Sequence, residues 1–410
     1  MGEPRHIKGY DLLKGEEGNW KRFFFDKSDL TFLVGAGISI NPPSNLMPAR
    51  GMMEAVLKFG ADPAIVGKLL TIPELRYEYL IQEFRDKYDP DLVILDYFEE
   101  CTQPNVIHTF LARMINLGHF VMTTNFDTLI ERAVGLDNPS LQIVITRKDF
   151  EKYGDPQANW KKGLRIVYKL HGSKINAKTG EDTRESVIIT LDGLGKRKDG
   201  DFSVEMFKKP LFLRIVVGRT LIIMGYSGGD DFDIVPTMTQ LSGLKRVIWI
   251  SHDEVVKDPV IYRLNHASVS SAEEKIGWCN EDNLLYTIYR TTGAEVIKIV
   301  GNTSSLVAEL NDTPHLISQT SVKRDFFNWL LDNFPPPSAE HRTFFTARIF
   351  HNYQFSQEAL LYYQKTLEIS QKSNNFSLLA SALNNMGLVY SDIGEPQKAV
   401  EHFQKSQESY

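Results

Sequence analysis

The chain has 410 residues, 42% of them hydrophobic and 24% charged, and a formal net charge of −6. Those proportions describe ordinary globular domains, two or three of them at roughly 150 residues each, and not a disordered chain. The negative balance argues against a general nucleic-acid or membrane-surface binder, whose surface would be basic.

In chain order, the N-terminus is polar and lacks the apolar core of a signal peptide. Gly2 fits a myristoylation pattern, but His6 stands where Ser or Thr is wanted. TFLV at 31–34 predicts a buried strand, and 49–59 a helix. Pro104 opens a second helix over 105–116, which Gly118 stops. GHFVMTT at 118–124, RIVYKL at 165–170, TLIIMG at 220–225, RVIWIS at 246–251 and AEVIKIV at 294–300 predict further strands. These runs are short and apolar on both faces, as buried parallel strands are. Their alternation with helical patterns predicts an α/β fold, a Rossmann-like doubly wound parallel sheet. The polar segments 177–184 and 193–202 read as mobile surface loops, and Lys161-Lys162 and Lys196-Arg197-Lys198 as solvated loop charges. No run reaches the ~18 apolar residues of a membrane helix, so no membrane is expected and the cytoplasm is the expected compartment. Cys101 and Cys279 are distant and form no CxxC, so neither a disulfide framework nor a cysteine-built zinc site is expected.

LDNFPPPSAE at 331–340 holds three consecutive prolines and marks a boundary. Beyond 341 the pattern is helical only. Ala347, Phe350, Ala359 and Tyr363 are spaced 3, 9 and 4, and Gly387, Tyr390, Ala399 and Phe403 repeat that spacing 40 residues later. Small residues there let two antiparallel helices approach while the rings lock them. The pattern resembles the tetratricopeptide repeat, whose usual period is about 34. The longer period implies extended helices or a longer turn near 372–376. Two repeats fall short of the roughly three that a stable stack needs, so the segment is expected to begin a longer array. The expected plan is 1–315 for the α/β domain, 316–340 for a linker and 341–410 for the all-α repeats.

Four strand ends carry chemistry-bearing residues. VGAGIS at 34–39 follows the first strand, and glycines at 35 and 37 let a backbone approach a phosphate. The dehydrogenase fingerprint fails, because Ile40 stands at its third glycine position. TTNFD at 123–127 puts Asn125 and Asp127 two residues apart, on one face of an extended chain; Asp127 could equally cap the helix that follows. KLHGS at 169–173 presents His171, whose ordinary titration range suits a general base. His108, inside a helical pattern, reads as a structural histidine. GYSGGD at 225–230 adds a glycine-rich strand end with a hydroxyl at Ser227.

GAGIS, TTNFD, KLHG and GYSG in this order, with the approach PNVIHTFLARMINLGHFVMTTNFDTLIERA, resemble the sirtuin family over residues 30–310. The resemblance implies that NAD is bound as substrate. Gly35, Ala36, Gly37 and Ser39 would cradle its pyrophosphate, with Thr124, Gly225 and Ser227 completing the cleft and GNTSS at 301–305 closing the adenine side. Asn125 and Asp127 would stand near the nicotinamide ribose, and His171 would be the base. Protein-deacylating sirtuins carry a four-cysteine zinc module and a Pro-Asp-Phe-Arg segment after GAGIS. This chain has neither, and reads INPPSNLMPAR there. It is closer to sirtuin-like NADase effectors of bacterial antiphage defence, which lack the zinc and are fused to sensor or repeat domains. The resemblance therefore implies hydrolysis of NAD to nicotinamide and ADP-ribose without a metal, a homo-oligomer, and a protein trigger bound by the repeats. Protein deacylation or ADP-ribosyl transfer, and a non-catalytic nucleotide-sensing scaffold, are the alternative readings.

Overall fold

The computed structural model describes residues 7–25, 29–188, 204–228, 233–265, 278–311 and 325–409. The 193–202 loop, with Lys196-Arg197-Lys198, and Gly229 and Asp230 of GYSGGD lie outside the described residues. Among the described residues nine strands form one sheet: β1 (Tyr10–Leu12), β2 (Leu30–Val34), β3 (Phe120–Thr123), β4 (Leu141–Val144), β5 (Arg165–Lys169), β6 (Thr220–Met224), β7 (Arg246–His252), β8 (Val260–Leu264) and β9 (Glu295–Gly301). Their order is β1-β8-β9-β7-β6-β2-β3-β5-β4. From β9 to β4 every pair is parallel. At the opposite edge β8 runs antiparallel to both β9 and β1, so the sheet is mixed but mostly parallel, in keeping with the expected α/β Rossmann-like fold followed by helical repeats.

The helices used below are α1 (Ala49–Gly60), α2 (Tyr77–Tyr88), α3 (Val106–Asn116), α4 (Leu129–Val134), α5 (Ile234–Met238), α6 (Asn280–Thr292), α7 (Thr303–Leu310), α8 (Phe326–Asn333), α9 (Ala339–Asn352), α10 (Ser356–Lys372), α11 (Phe376–Asp392) and α12 (Pro396–Glu408). Side chains alternate across each strand, and both faces of this sheet are covered. Leu33, Leu221, Ile223, Val247 and Trp249 join one core with Leu284, Leu285 and Ile288 of α6. Phe32, Val34, Ile222, Met224, Ile248 and Ile250 join the other, with Phe110 and Leu111 of α3 and Leu306 and Val307 of α7. Full burial of each such side chain contributes about 1.5–3 kcal/mol.

The contacts group the chain into two units, Met1–Leu46 with Leu95–Lys323, and Met47–Ile94 with Arg324–Tyr410. The linear plan ran the first domain unbroken to 315, whereas 47–94 groups with the helices that follow the sheet. The reason is an apolar face on each inserted helix. Phe59 of α1 and Phe84 of α2 meet Phe334 with ring centroids 6.2 and 5.2 Å away, and Tyr88 of α2 packs against Phe59 and Phe84 at 6.0 and 5.5 Å. Buried Glu83 of α2 receives both Nε (2.6 Å) and Nη2 (2.7 Å) of Arg348 on α9. The Asp62 N–H donates to Thr346 Oγ1 at 2.9 Å. The three prolines lie between α8 and α9, inside this unit.

The repeat spacing has its explanation in helix length. α10 and α11 are each 17 residues long, and the turn between them occupies only 373–375. A Cβ at Gly387 would lie 2.6 Å from the Phe403 ring, so α11 and α12 approach at a glycine held under a ring. Ala347, Ala359 and Ala399 are buried, as that spacing requires.

At the middle of the sheet the chain leaves β2 toward β3 but leaves β6 toward β7, so the adjacent strands β2 and β6 flank a topological switch point. Two turns interlock there. The Gly35 N–H donates to Met224 O at 3.2 Å and the Gly37 N–H to Gly225 O at 2.8 Å. A Cβ at Gly37 would lie 2.7 Å from Gly225 Cα. Gly225 itself has φ +62, and a Cβ on it would lie 2.5 Å from the Ile38 nitrogen. Gly225→Ala is expected to destabilise the protein by about 2–4 kcal/mol, combining a left-handed backbone with overpacking. Gly180, with φ +72 and nothing within 4 Å, is the control. Gly180→Ala should lose about 1 kcal/mol, the backbone part alone. Equal losses in equilibrium unfolding would mean that the interlock adds nothing.

Candidate active site

All four motifs follow the carboxyl ends of neighbouring parallel strands: 35–39 follows β2, 124–127 follows β3, 170–173 follows β5 and 225–228 follows β6. The Thr124 N–H donates to Val34 O at 3.1 Å and the Leu170 N–H to Thr123 O at 2.8 Å, which ties three of the strand ends together. Residues 36–39 form a single 3-10 turn that buries Ser39. Ala36 is exposed.

Ser39 is the centre of a buried polar network. Its hydroxyl donates to Asp127 Oδ2 at 2.8 Å, and His108 Nε2 lies 3.1 Å from Ser39 Oγ. Asn125 Nδ2 donates to Asp127 Oδ2 at 3.2 Å and to Ser39 Oγ at 3.3 Å. The proton positions follow from the partners. The Asn105 N–H donates to His108 Nδ1 at 3.1 Å, so the neutral ring carries its proton on Nε2 and donates it to Ser39. A carboxylate only accepts, so Asn125 must turn its amide nitrogen to Asp127. That leaves Asn125 Oδ1 buried, with no hydrogen-bond partner among the described residues.

Asp127 takes both roles that the sequence left open. Its Oδ1 accepts the Leu129 N–H at 3.1 Å, at the start of α4, while Oδ2 serves the network. Lys169, fully buried at the end of β5, donates to the Asp127 carbonyl and pairs with buried Glu131 of α4 at 3.1 Å. Burial pushes the Glu131 carboxyl up, and Lys169 is the main influence holding it down. Such a pair adds little net stability, but losing either partner strands a buried charge.

His171 is placed separately. Its Nε2 lies 3.1 Å from Asp233 Oδ2, and its ring stands 6.5 Å from that of Phe126. Ser227 is exposed on the loop after β6, and Gly225 is taken up in the interlock. At the far strand ends, His252 Nδ1 receives the Thr303 N–H at 3.2 Å, and Asn41 Nδ2 donates to Ser304 Oγ at 2.6 Å. The structure thus brings Ser39, Asn125 and Asp127 into hydrogen-bonding contact and gives Gly35 and Gly37 an architectural task first. His108, read from the sequence as structural, joins the network at Ser39, and Asp233 escaped the sequence reading. His108 had a legible signal, because Asn105 and His108 stand at capping-box spacing and bond reciprocally at the start of α3. Asp233 had none, lying 62 residues from the histidine that it meets.

Among the described residues, no three His, Cys, Asp or Glu side chains gather as a metal site, and no helix is long and apolar enough to cross a membrane. Residues 119–250 match the family model of the SIR2-like domain, and residues 349–410 that of the tetratricopeptide repeat. The chain therefore carries a SIR2-like domain followed by a tetratricopeptide-like region, which supports an NAD-related role for the first and protein interaction for the second. Response regulator aspartate phosphatase A of Bacillus subtilis (strain 168) is 38% identical over 63 residues, which is 15% of this chain and 17% of that protein.

Burial holds the His108 pKa down from 6.5 to about 4, against the pull of Asp127. Because the folded value lies below the unfolded one, the unfolded chain takes the proton first. The contribution is complete above pH 6.5 and is lost as pH falls toward 4, by about 3 kcal/mol in all. His108→Gln should flatten that part of the stability profile. Urea unfolding between pH 4 and 8 checks this, and parallel wild-type and variant curves would refute it.

Proposed function

We propose that this protein hydrolyses NAD, releasing nicotinamide and ADP-ribose. The observation that carries the reading is Asn125: its Nδ2 is fixed by Asp127 and Ser39, and its Oδ1 is buried without a partner among the described residues. Leaving such an acceptor unmatched costs about 1–3 kcal/mol, and a ribose hydroxyl or the attacking water would supply the missing donor. In this reading the turn of Gly35, Ala36, Gly37 and Ser39 takes the pyrophosphate, and Thr124, Gly225 and Ser227 complete the cleft. The Gly37 N–H is already engaged by Gly225, so the turn's rigidity matters more than that donor.

The C1′–N bond of the nicotinamide riboside breaks, and its electron pair leaves with nicotinamide. The sugar passes through an oxocarbenium-like state of the kind met in glycoside hydrolysis. Water adds to C1′ and its proton passes to His171, which later releases it to solvent. Asn125 orients the water or the ribose, and the Asp127 carboxylate offers the cation a negative neighbour. No step requires a metal.

An unrestrained NADase would drain a cell's cofactor, so the activity is proposed to be gated. The SIR2-like and repeat layout supports an effector of antiphage defence, working as a homo-oligomer in the cytoplasm, with the repeats receiving a protein trigger. A trigger gates only by binding the active state more tightly than the resting one. Asn125→Ala and His171→Ala should each lower NAD cleavage about a hundredfold or more, with unchanged far-UV circular dichroism. Chromatography of the products checks this. Wild-type turnover in either variant would sink the assignment, and products that need an acetylated peptide would favour deacylation instead.

A further inference from the structure

Asp233 has no part in the mechanism above, yet its carboxylate is bonded through both oxygens. The side chain is buried, Oδ1 accepts the Ile234 N–H at 2.7 Å at the start of α5, and Oδ2 lies 3.1 Å from His171 Nε2. Its backbone carbonyl accepts the Thr237 hydroxyl at 2.6 Å, and that hydroxyl accepts the Val204 N–H at 3.2 Å. The carboxylate is therefore fixed before it meets the histidine. His171 is held as well: its carbonyl accepts the Ile188 N–H at 2.9 Å, and Phe126 flanks its ring at 34°.

We propose that Asp233 is a positioning residue for His171, holding the imidazole in one orientation and in the tautomer with the proton on Nε2. A carboxylate only accepts, so at this distance Nε2 must donate, which makes Nδ1 the basic nitrogen. When Nδ1 takes a proton, Asp233 faces the imidazolium that forms and stabilises it. This is the base-plus-orienter logic of nucleophilic sites, applied to a base that activates water. The contrast with His108 supports it. That ring donates to a hydroxyl, accepts a backbone N–H and is held neutral by burial. Of these two histidines, His171 is the one bonded to a carboxylate. The inference rests on the reading of His171 as the base.

Asp233→Asn in the full chain separates the roles of the two oxygens. Asn caps a helix as well as Asp does, so the Oδ1 bond to Ile234 is kept. Its amide nitrogen then offers a donor to Nε2 and drives the proton to Nδ1. The expected result is a kcat for NAD cleavage lowered about 10²–10⁴-fold, the range of general-base catalysis, with KM changed less than threefold. The 15N spectrum of the His171 ring, assigned by comparison with His171→Ala, should move from the Nε2–H to the Nδ1–H pattern. Asp233→Ser caps the helix without reaching the ring, and should lower kcat without inverting the tautomer. If Asp233→Asn does not fold, the serine variant and the wild-type ring spectrum decide. An Nδ1–H pattern in the wild type, or turnover unchanged or raised in a folded variant, overturns the proposal. If the wild type cleaves NAD no faster than His171→Ala, the reading of His171 as base fails instead, and the ring spectra still judge the Asp233 contact.

Discussion

The constraint on which the site depends is the close approach of two turns at the switch point between β2 and β6. Backbone meets backbone there, with Gly37 bonded to Gly225 and no room for a Cβ on either. Because the turn after β2 is pinned to the strand end of β6, Ser39 is delivered to a fixed place at the sheet's carboxyl edge. Without that fixed hydroxyl, Asp127 would lose one donor and Asn125 one acceptor. A glycine-rich strand end is often read as room for a phosphate. Here the first claim on the missing side chains comes from the protein itself, and any ligand uses a surface that the interlock has already set.

The network around Ser39 has a definite polarity. Protons are donated from Asn105 to His108, from His108 to Ser39 and from Ser39 to Asp127, and the Asn125 amide adds a further donor to the carboxylate. One buried charge is thus surrounded by donors, the condition under which a carboxylate survives burial. The by-product is an amide whose carbonyl oxygen has nothing left to accept within the described residues. Stability and reactivity are linked at this atom. The donors that stabilise Asp127 also fix which end of Asn125 is left for a substrate.

Much of this was legible in the sequence because it is local. Six strands were found as apolar runs, and these are the strands with continuous burial or the longest ladders. The three that were missed, β1, β4 and β8, lie at or beside the sheet edges, where short strands alternate or carry polar residues. The pairing of Asn125 with Asp127 followed from their spacing. The contact between His171 and Asp233 did not, because nothing local links residues on different strand ends. The grouping of 47–94 with the repeats was equally hidden. An amphipathic helix announces that it has an apolar face, not which distant helix will cover it.

That grouping bears on control. The chain leaves the sheet unit between Leu46 and Met47 and re-enters it between Ile94 and Leu95. On the outgoing side, the Leu46 N–H donates to the carbonyl of Ser39 at 3.0 Å. On the returning side, Asp96 pairs with Lys174, three residues beyond His171, and Phe98 packs at 5.8 Å against Phe126, the ring beside that histidine. Two of the three chain crossings between the units, at 46/47 and 94/95, therefore lie close in sequence to residues that hold the candidate site. A force on the repeats is resisted inside their own unit by buried Glu83 and its bidentate arginine, which tie the inserted helix α2 to α9. The proposed gating by a bound protein then requires that the trigger bind one state of the protein more tightly than the other, which a change confined to the helical unit can satisfy.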